Sequence, residues 1–537
     1  MKRTKRMAMT LASVLAASSI LGACQGTKEN EASSPSPSAA ASASTGATAP
    51  AAEKNFDKQI KLSMYNAGGF NPTSLLPARE EDPLRQKLEK AVNVELSVTI
   101  PTADQRAAKL NTMIASGDIP DMLFMWDKNV AADYYSQGVI MELDPYLADY
   151  PNLKKRFPEG SWEAMKINGK TVMTPGFEGV SGVKGWWIRN DWLQKLNLKV
   201  PATPDELLEV LKAFTFNDPD GNGKNDTYGF VAGVGKDGEL AALNWEMIFW
   251  MYGIQPNTPD IIDGKLVFGS TDPRMKEAIA FIQKMIEAKV VDPDWVSIND
   301  SAAINKKMYA GKAGFIPNDW RRMEPGDQTQ MKEVGGEVPD WIIVAPAKGP
   351  HGDQRIGVKN HPGNGWAISV NAAKDKEKVK RILALLDYWY GDAQAYPYFA
   401  YGIEGTQWQM VNGKPEKLAP TKEQEEKLKW TANWFLPRRV DDAVYFNFKN
   451  PKTAEFQQIN LKYIKENPIV PKLVLNPDDT LFNDRKKYIN ETLLKFMIGK
   501  EPLSNWDAYV EILNTKFEYK KYTDDVTAQV KKMGLLP

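Results

Sequence analysis

Cysteine and histidine are nearly absent from this sequence. Its 537 residues include one cysteine, Cys24, and two histidines, His351 and His361. One cysteine cannot form a disulfide within the chain, and it excludes metal sites built from paired cysteines. Two histidines leave few candidates for a zinc site or for a histidine general base. The formal net charge is zero, so the basic excess that binds nucleic acid is also missing, and we expect no nucleic-acid partner.

The N-terminus has the pattern of an export signal. A basic start precedes the apolar run Met7–Gly22, which is short for a membrane span. The run ends in Leu-Gly-Ala-Cys at residues 21–24, which resembles the lipobox of bacterial lipoproteins, where cleavage precedes the cysteine and a lipid is attached to its sulfur. We therefore predict a signal peptide over 1–23 and a lipid on Cys24. The anchor would hold a soluble body on the extracytoplasmic face of the cell membrane.

A tether and two α/β series follow the predicted anchor. Residues 32–52 contain only Ala, Ser, Pro, Thr and Gly, so we predict a disordered linker over 24–57. From residue 58, alternating apolar residues at 60, 62 and 64 and at 94, 96 and 98 predict strands, with a helix between them. A second series starts near Gly176, where Thr203 and Glu206 predict a helix cap. Strands alternating with helices predict an α/β fold of more than one domain.

Five stretches, in this order, resemble the bacterial extracellular solute-binding proteins of carbohydrate ABC transporters. They are MIASGDIPDMLFMW (113–126), INGKTVMTPGF (167–177), WWIRNDWLQKLNLKVPATPDEL (186–207), GNGWAISVNAAKDKEKVKRILALLDYWY (363–390) and YGIEG (401–405). Within that family, this sequence resembles the subgroup that includes the alginate-binding proteins. The resemblance implies a two-lobe periplasmic-binding-protein-like fold with discontinuous lobes. Lobe 1 would be 58–175 plus about 366–400, and lobe 2 would be 176–365 plus about 401–537.

The stretch NDPDGNGKND, residues 217–226, concentrates oxygen-bearing side chains in one turn. Counted from Asp218, side-chain oxygens fall at positions one, three, five and nine, a glycine stands at position six, and position seven offers a carbonyl, as in an EF-hand loop. We predict that this loop holds one structural Ca²⁺, with ligands Asp218, Asp220, Asn222, Lys224 through its carbonyl, and Asp226. Position twelve is Gly229, and Thr227 stands where the alginate-binding relatives have a closing acidic residue. The alternative is a plain surface turn.

Sugars present flat apolar faces and rings of hydroxyls, which aromatic and polar side chains recognise. The sequence has 16 tryptophans, most of which we expect to be structural. We select as candidate ligand contacts the residues that lie close to the implied crossovers between the lobes. Trp408, Trp320 and Trp126 are the strongest of these, and the others are Asn66, Phe70, Asp127, Glu178, Trp186, Trp245, Arg321, Asn364 and Glu404.

The resemblance implies a monomeric binding protein that captures an oligosaccharide between its lobes and delivers it to an ABC permease. The chain contains no nucleophile elbow, HExxH motif or Gly-rich phosphate loop, so we expect no catalytic activity. Two alternatives remain open. One is an exported glycosidase or lyase, because Asp and Glu are abundant and glycosidases use a carboxylate pair. The other is a binder of a non-sugar solute with the same fold.

Overall fold

The computed structural model describes residues 56–537 except 70–71, 177–183, 236–237, 241–242, 320–321, 324, 360–362, 419, 435–451 and 477. The predicted lipid site Cys24 and the candidate contacts Phe70, Glu178, Trp320 and Arg321 lie outside the described residues. Within the described part of the chain, no helix is long and apolar enough to cross a membrane.

The strands are short, and most belong to two sheets. Their bounds are β1 Ile60–Tyr65, β2 Val94–Thr99, β3 Met122–Met125, β4 Lys166–Ile167, β5 Lys170–Thr171, β6 Thr174–Pro175, β7 Lys184–Arg189, β8 Tyr228–Phe230, β9 Pro259–Ile262, β10 Lys265–Phe268, β11 Ala313–Asp319, β12 Trp341–Val344, β13 Gly357–Lys359, β14 Gly365–Ile368, β15 Trp408–Val411, β16 Lys414–Lys417 and β17 Ile464–Glu466.

Helices connect and cover these strands. Their bounds are α1 Pro83–Val92, α2 Arg106–Ala115, α3 Lys128–Ser136, α4 Pro151–Arg156, α5 Glu159–Ala164, α6 Asn190–Lys195, α7 Pro204–Phe216, α8 Trp245–Met251, α9 Pro273–Glu287, α10 Ser301–Tyr309, α11 Pro325–Gly335, α12 Val370–Ala373, α13 Lys376–Leu386, α14 Tyr396–Tyr401, α15 Lys422–Lys427, α16 Lys452–Tyr463, α17 Phe482–Met497, α18 Trp506–Lys516 and α19 Tyr519–Lys532. The predicted cap of α7 is present, because the Thr203 hydroxyl accepts from the Glu206 N–H at 3.2 Å.

The first sheet has the strand order β2-β1-β3-β14-β6. β1 runs parallel to β2 and β3, and β14 runs antiparallel to β3 and β6. Successive side chains of a strand face opposite sides, so Met122 and Phe124 enter one core and Leu123 and Met125 enter the other. Both faces of the sheet are therefore covered, which is why β3 reads as a continuous apolar run.

The second sheet has the order β12-β7-β11-β8 and is also covered on both faces. β7 runs antiparallel to β11 and β12, whereas β11 and β8 are parallel. Trp186 and Ile188 pack into one core, and Trp187 between them packs into another. Two sheets with helices on their faces make this an α/β protein of two lobes, as the sequence predicts.

The C-terminal third of the chain divides between the two lobes. α17, α18 and α19 pack into the core that contains Trp186. The 3₁₀ segment Lys429–Trp434 instead places Trp430 and Trp434 in the core of the first sheet. From the resemblance, all of about 401–537 is expected in lobe 2. The packing of 429–434 corrects that assignment, because two large apolar side chains fix this segment to the first core.

Candidate functional site

The chain passes between the sheets at one edge of each. β6 ends at Pro175 and β7 begins at Lys184, while β14 begins with Gly365 paired to Met125, the last residue of β3. The C-terminal ends of β1, β3 and β6 therefore share this edge of the first sheet. In the second sheet, the last residue of β11 pairs with Lys184, so the C-terminal ends of β11 and its parallel neighbour β8 point to the crossing. Ligands of open α/β sheets bind at such edges, and the two edges together form the candidate site.

Four predicted contacts meet at the edge of the first sheet. Asn66 directly follows β1, and its carbonyl accepts from the Gly69 N–H at 3.2 Å to form a tight turn. Trp126 directly follows β3 and is half-buried, with the Arg106 guanidinium carbon 4.8 Å from its ring centre. Asp127 caps α3 by accepting from the Asn129 N–H at 2.8 Å. This edge thus carries an aromatic ring beside a cation and several hydrogen-bonding groups.

Asn364 lies at the same edge, where the chain returns to the first sheet. Its carbonyl accepts from the Gly176 N–H at 2.9 Å, which joins two of the crossing segments. Among the described residues, its buried Oδ1 has no hydrogen-bond partner. Gly68 and Gly176 both lie against the Phe124 ring, and a Cβ at either would be 2.7 Å from that ring. Gly68, in the turn after β1, and Gly176, after β6, are therefore required by close packing at the site.

Asn433 belongs to this edge, although sequence reasoning missed it. The Asn66 Nδ2 donates to the Asn433 carbonyl at 3.2 Å across 367 positions of sequence. The next residue, Trp434, donates from Nε1 to the buried Asp82 carboxylate at 2.9 Å and accepts from Trp389 Nε1 at 3.2 Å. The only available signal was the spacing of the tryptophans at 430 and 434, which predicts a buried face but does not indicate which core it joins.

The edge of the second sheet carries one compensated charge pair. The Lys184 ammonium pairs with the Glu246 carboxylate at the start of α8, and the Gln255 side chain donates to the Glu246 carbonyl at 2.7 Å. Asn318, next to the end of β11, donates to the Asn305 Oδ1 at 2.8 Å. These groups are suited to orienting hydroxyls, because amides and a paired carboxylate offer both donors and acceptors.

Three predicted tryptophan contacts are buried in cores. Trp186 and Trp245 are 0% exposed, with Trp186 edge-on to Phe315 and Trp245 edge-on to Trp295. Trp408 is 1% exposed, and its Nε1 donates to the Gly402 carbonyl at 2.8 Å. A ring without an exposed face offers nothing for a sugar to stack on, so the structure assigns all three side chains to packing and corrects their predicted role.

Glu404 lies beside Trp408, with which it forms an isolated parallel bridge. Its carboxylate accepts from the Tyr398 hydroxyl, and the Lys87 ammonium lies 3.6 Å from the Tyr398 ring centre. The Glu404 carboxylate is the first cause of the raised pKa of Tyr398, which reaches about 12. Lys87 lies on α1 of lobe 1, so this cluster is attached to that lobe, and the described contacts of Glu404 are with Tyr398 and Trp408.

The predicted calcium loop forms a turn organised by its own carboxylates. Asp218 accepts from the backbone N–H groups of Asn222 at 3.0 Å and Gly223 at 3.1 Å. Gly223 has a φ of 74°, which favours glycine. The Asn222 Nδ2 donates to Asp220 at 2.8 Å and to Asp226 at 3.1 Å. The oxygen ligands that Ca²⁺ prefers are therefore present in one turn.

A lysine from outside the loop neutralises part of its charge. The Lys312 Nζ lies 2.5 Å from Asp226 and 4.0 Å from Asp220. Its hydrogen bond is the first cause of the lowered pKa of Asp226, whereas burial raises the pKa of Asp220. Among the described residues, no three acidic, histidine or cysteine side chains converge into a preformed metal site. The donor set fits Ca²⁺ chemically, and the Lys312 ammonium lies against two of its carboxylates, Asp226 and Asp220.

Thr227 does not add a ligand. Its hydroxyl donates to the Phe214 carbonyl at 2.8 Å, and the residue is 1% exposed. The side chain therefore faces the end of α7 and fixes the loop to the second core.

The sequence identifies the family of this protein. Residues 39–396 match the family model of the bacterial extracellular solute-binding proteins. Because this match covers more than half of the chain, the protein belongs to that family. Its members bind solutes and are not enzymes, so the prediction of a binding protein without catalytic activity is confirmed.

Two curated proteins of Bacillus subtilis strain 168 are similar to this chain. Lipoprotein LipO is 30% identical over 345 residues, which cover 62% of this chain and 65% of LipO. The polygalacturonan/rhamnogalacturonan-binding protein YtcQ is 26% identical over 516 residues, which cover 93% of each chain.

A solved structure supports the fold. An EF-hand mutant of FusA, an ABC-transporter substrate-binding protein of Streptococcus pneumoniae, has been solved in complex with fructo-nystose. It superposes with a TM-score of 0.63 at 22% identity over 88% of this chain and 98% of the other. The two-lobe α/β architecture predicted from sequence is thus confirmed.

Proposed function

We propose that this protein captures an oligosaccharide between the two sheet edges and delivers it to an ABC permease. The observation that carries the proposal is the family membership together with an edge that holds Trp126, Asn66 and Asn364 at the chain crossings. YtcQ is a polygalacturonan/rhamnogalacturonan-binding protein and FusA has been solved with fructo-nystose, which supports a sugar as the solute. We further propose that the protein acts as a monomer on the extracytoplasmic face, held by a lipid on Cys24; the similarity to lipoprotein LipO supports that anchor.

A panel of pectic, alginate, xylan, fructan and host-glycan oligosaccharides tests the proposal. At least one should raise the melting temperature, keep its mass after incubation, and reduce the radius of gyration measured by X-ray scattering. A change in sugar mass would instead indicate the glycosidase or lyase alternative. Failure of the whole panel, with a response to amino acids or peptides, would indicate a non-sugar solute.

We propose in addition that the loop at 218–226 binds one structural Ca²⁺ in place of the Lys312 ammonium. Four side chains with oxygen ligands at positions one, three, five and nine of the loop support this proposal. The solved structure of a FusA variant with a mutated EF-hand supports it as well. Binding requires Lys312 to leave Asp226 and the Asn222 carboxamide to turn its oxygen inward. The loop joins α7 to β8 in the second lobe, away from the crossings, so the ion stabilises that lobe and does not contact the sugar.

A further inference from the structure

The C-terminal segment 464–476 runs alongside the crossing between the lobes. Its first part, β17, pairs in parallel with β13, which leads back towards the first sheet. Further along, Ile469 packs with Val526 and Val530 of α19, and the Val474 N–H donates to the Gln529 side chain at 3.1 Å. The segment is therefore attached to the second lobe through α19.

The same segment is also bonded to the first lobe at the start of α3. The Lys128 ammonium donates to the Pro471 carbonyl at 3.0 Å. The Asn129 Oδ1 accepts from the Leu475 N–H at 3.1 Å. Lys128 and Asn129 directly follow Trp126 and Asp127 of the candidate site, and a Cβ at Gly363 would lie 2.9 Å from the Lys128 Cβ. These bonds connect the lobes beside the site.

From this geometry we propose that segment 464–476 is a releasable strap, which docks on the first two residues of α3 and undocks when the lobes move relative to each other. In this docked arrangement Lys128 is 6% exposed, and its described acceptor is the neutral Pro471 carbonyl. A buried ammonium without a carboxylate partner is costly, so the docked strap is held weakly. The strap can then detach without unfolding either lobe.

Burial lowers the pKa of Lys128 from 10.5 to about 8. The charged groups that act on it from neighbouring elements are Glu163 of α5, which already pairs with Lys166, and Lys472 of the strap itself. Protonation therefore favours the undocked strap, in which the ammonium reaches water. As the pH rises from 7 to 9.5, the docked strap should gain stability by more than tenfold in its docking constant.

Hydrogen–deuterium exchange at single-residue resolution on the full chain tests this inference, because two adjacent amides report on different lobes. Leu475 N–H is bonded to α3 of the first lobe, and Val474 N–H is bonded to α19 of the second. After correction for intrinsic exchange chemistry, protection of Leu475 should rise about tenfold or more between pH 7 and pH 9.5, while protection of Val474 stays constant.

Two variants test whether Lys128 causes the pH dependence and whether Asn129 causes the protection of the Leu475 amide. Lys128→Met should abolish the pH dependence at Leu475, and Asn129→Ala should remove its protection without changing Val474. The inference is overturned if Leu475 and Val474 respond to pH in parallel, or if the dependence persists in Lys128→Met. The comparison of the two amides in the unaltered protein decides the question even where a variant does not fold.

Discussion

Replacement of Lys312 by methionine tests whether the Lys312 ammonium competes with Ca²⁺ for the Asp226 carboxylate in the proposed calcium loop. Lys312 neutralises Asp226 at 2.5 Å, so in the proposed site Ca²⁺ would displace it. An exposed ion pair contributes about 0.2–1 kcal/mol, and its removal should therefore raise calcium affinity by up to roughly fivefold. Lys224→Met is the matched control, because it removes a positive charge from the same loop where only the backbone carbonyl is a predicted ligand.

The accompanying stability change can be worked out from mass action. Calcium at 100-fold excess over its dissociation constant stabilises the folded state by about 2.7 kcal/mol. For a cooperative unit of roughly 300 residues, which is the scale of the second lobe, an unfolding entropy of about 2.1 cal/mol/K per residue makes this a melting temperature about 4 °C higher. Asp220→Ala should abolish the response, and Mg²⁺ should restore the chelated protein less well than Ca²⁺.

Isothermal titration calorimetry and calorimetric melting measure both quantities. The reasoning is refuted if calcium-supplemented, purified protein contains no bound ion, because the loop is then only a turn. Equal gains from Lys312→Met and Lys224→Met would show that general electrostatics, and no displacement of Lys312, controls the affinity.

Three further outcomes are expected. Burial lowers the pKa of Lys128 in the folded protein from 10.5 to about 8. Between pH 8 and 10.5 the lysine is therefore neutral in the folded state but still charged in the unfolded state, and the unfolding free energy should rise by up to about 3 kcal/mol. Below this window the lysine is charged in both states, and above it the lysine is neutral in both. Urea titrations should show this rise in the unaltered protein and in the exposed-site control Lys109→Met, but a flattened profile in Lys128→Met. Trp434→Phe leaves a buried carboxylate oxygen without its donor and should cost about 1–3 kcal/mol, more than Trp430→Phe under the same denaturation assay. Cys24→Ala should move the protein from the detergent phase to the aqueous phase in cell fractionation; unchanged partitioning would contradict the lipid anchor.

The local parts of the fold could be predicted because their causes are local. Alternating apolar residues at 60, 62 and 64 predict strand β1, and the Thr203 cap predicts the start of helix α7. The placement of 429–434 could not be predicted, since it depends on tertiary contacts such as the hydrogen bond from Trp434 to Asp82 across 352 positions. The strap was missed for the same reason, because the Lys128–Pro471 contact spans 343 positions.

The tryptophans show why position in the sequence alone misidentified site residues. Trp186 lies within β7 and Trp126 lies one residue beyond β3, yet both are close to a crossing. Within a strand, pairing and the pleat place each side chain into one of the two covered faces, so a ring there is buried whatever crossing follows. A residue beyond the last paired position is released from both faces, which is why Trp126 is half-buried while Trp186 is 0% exposed. For sheets covered on both sides, candidate ligand contacts should be sought directly after strands. Trp126, Asp127 and Asn66 satisfy that condition, and Trp186 and Trp245 do not.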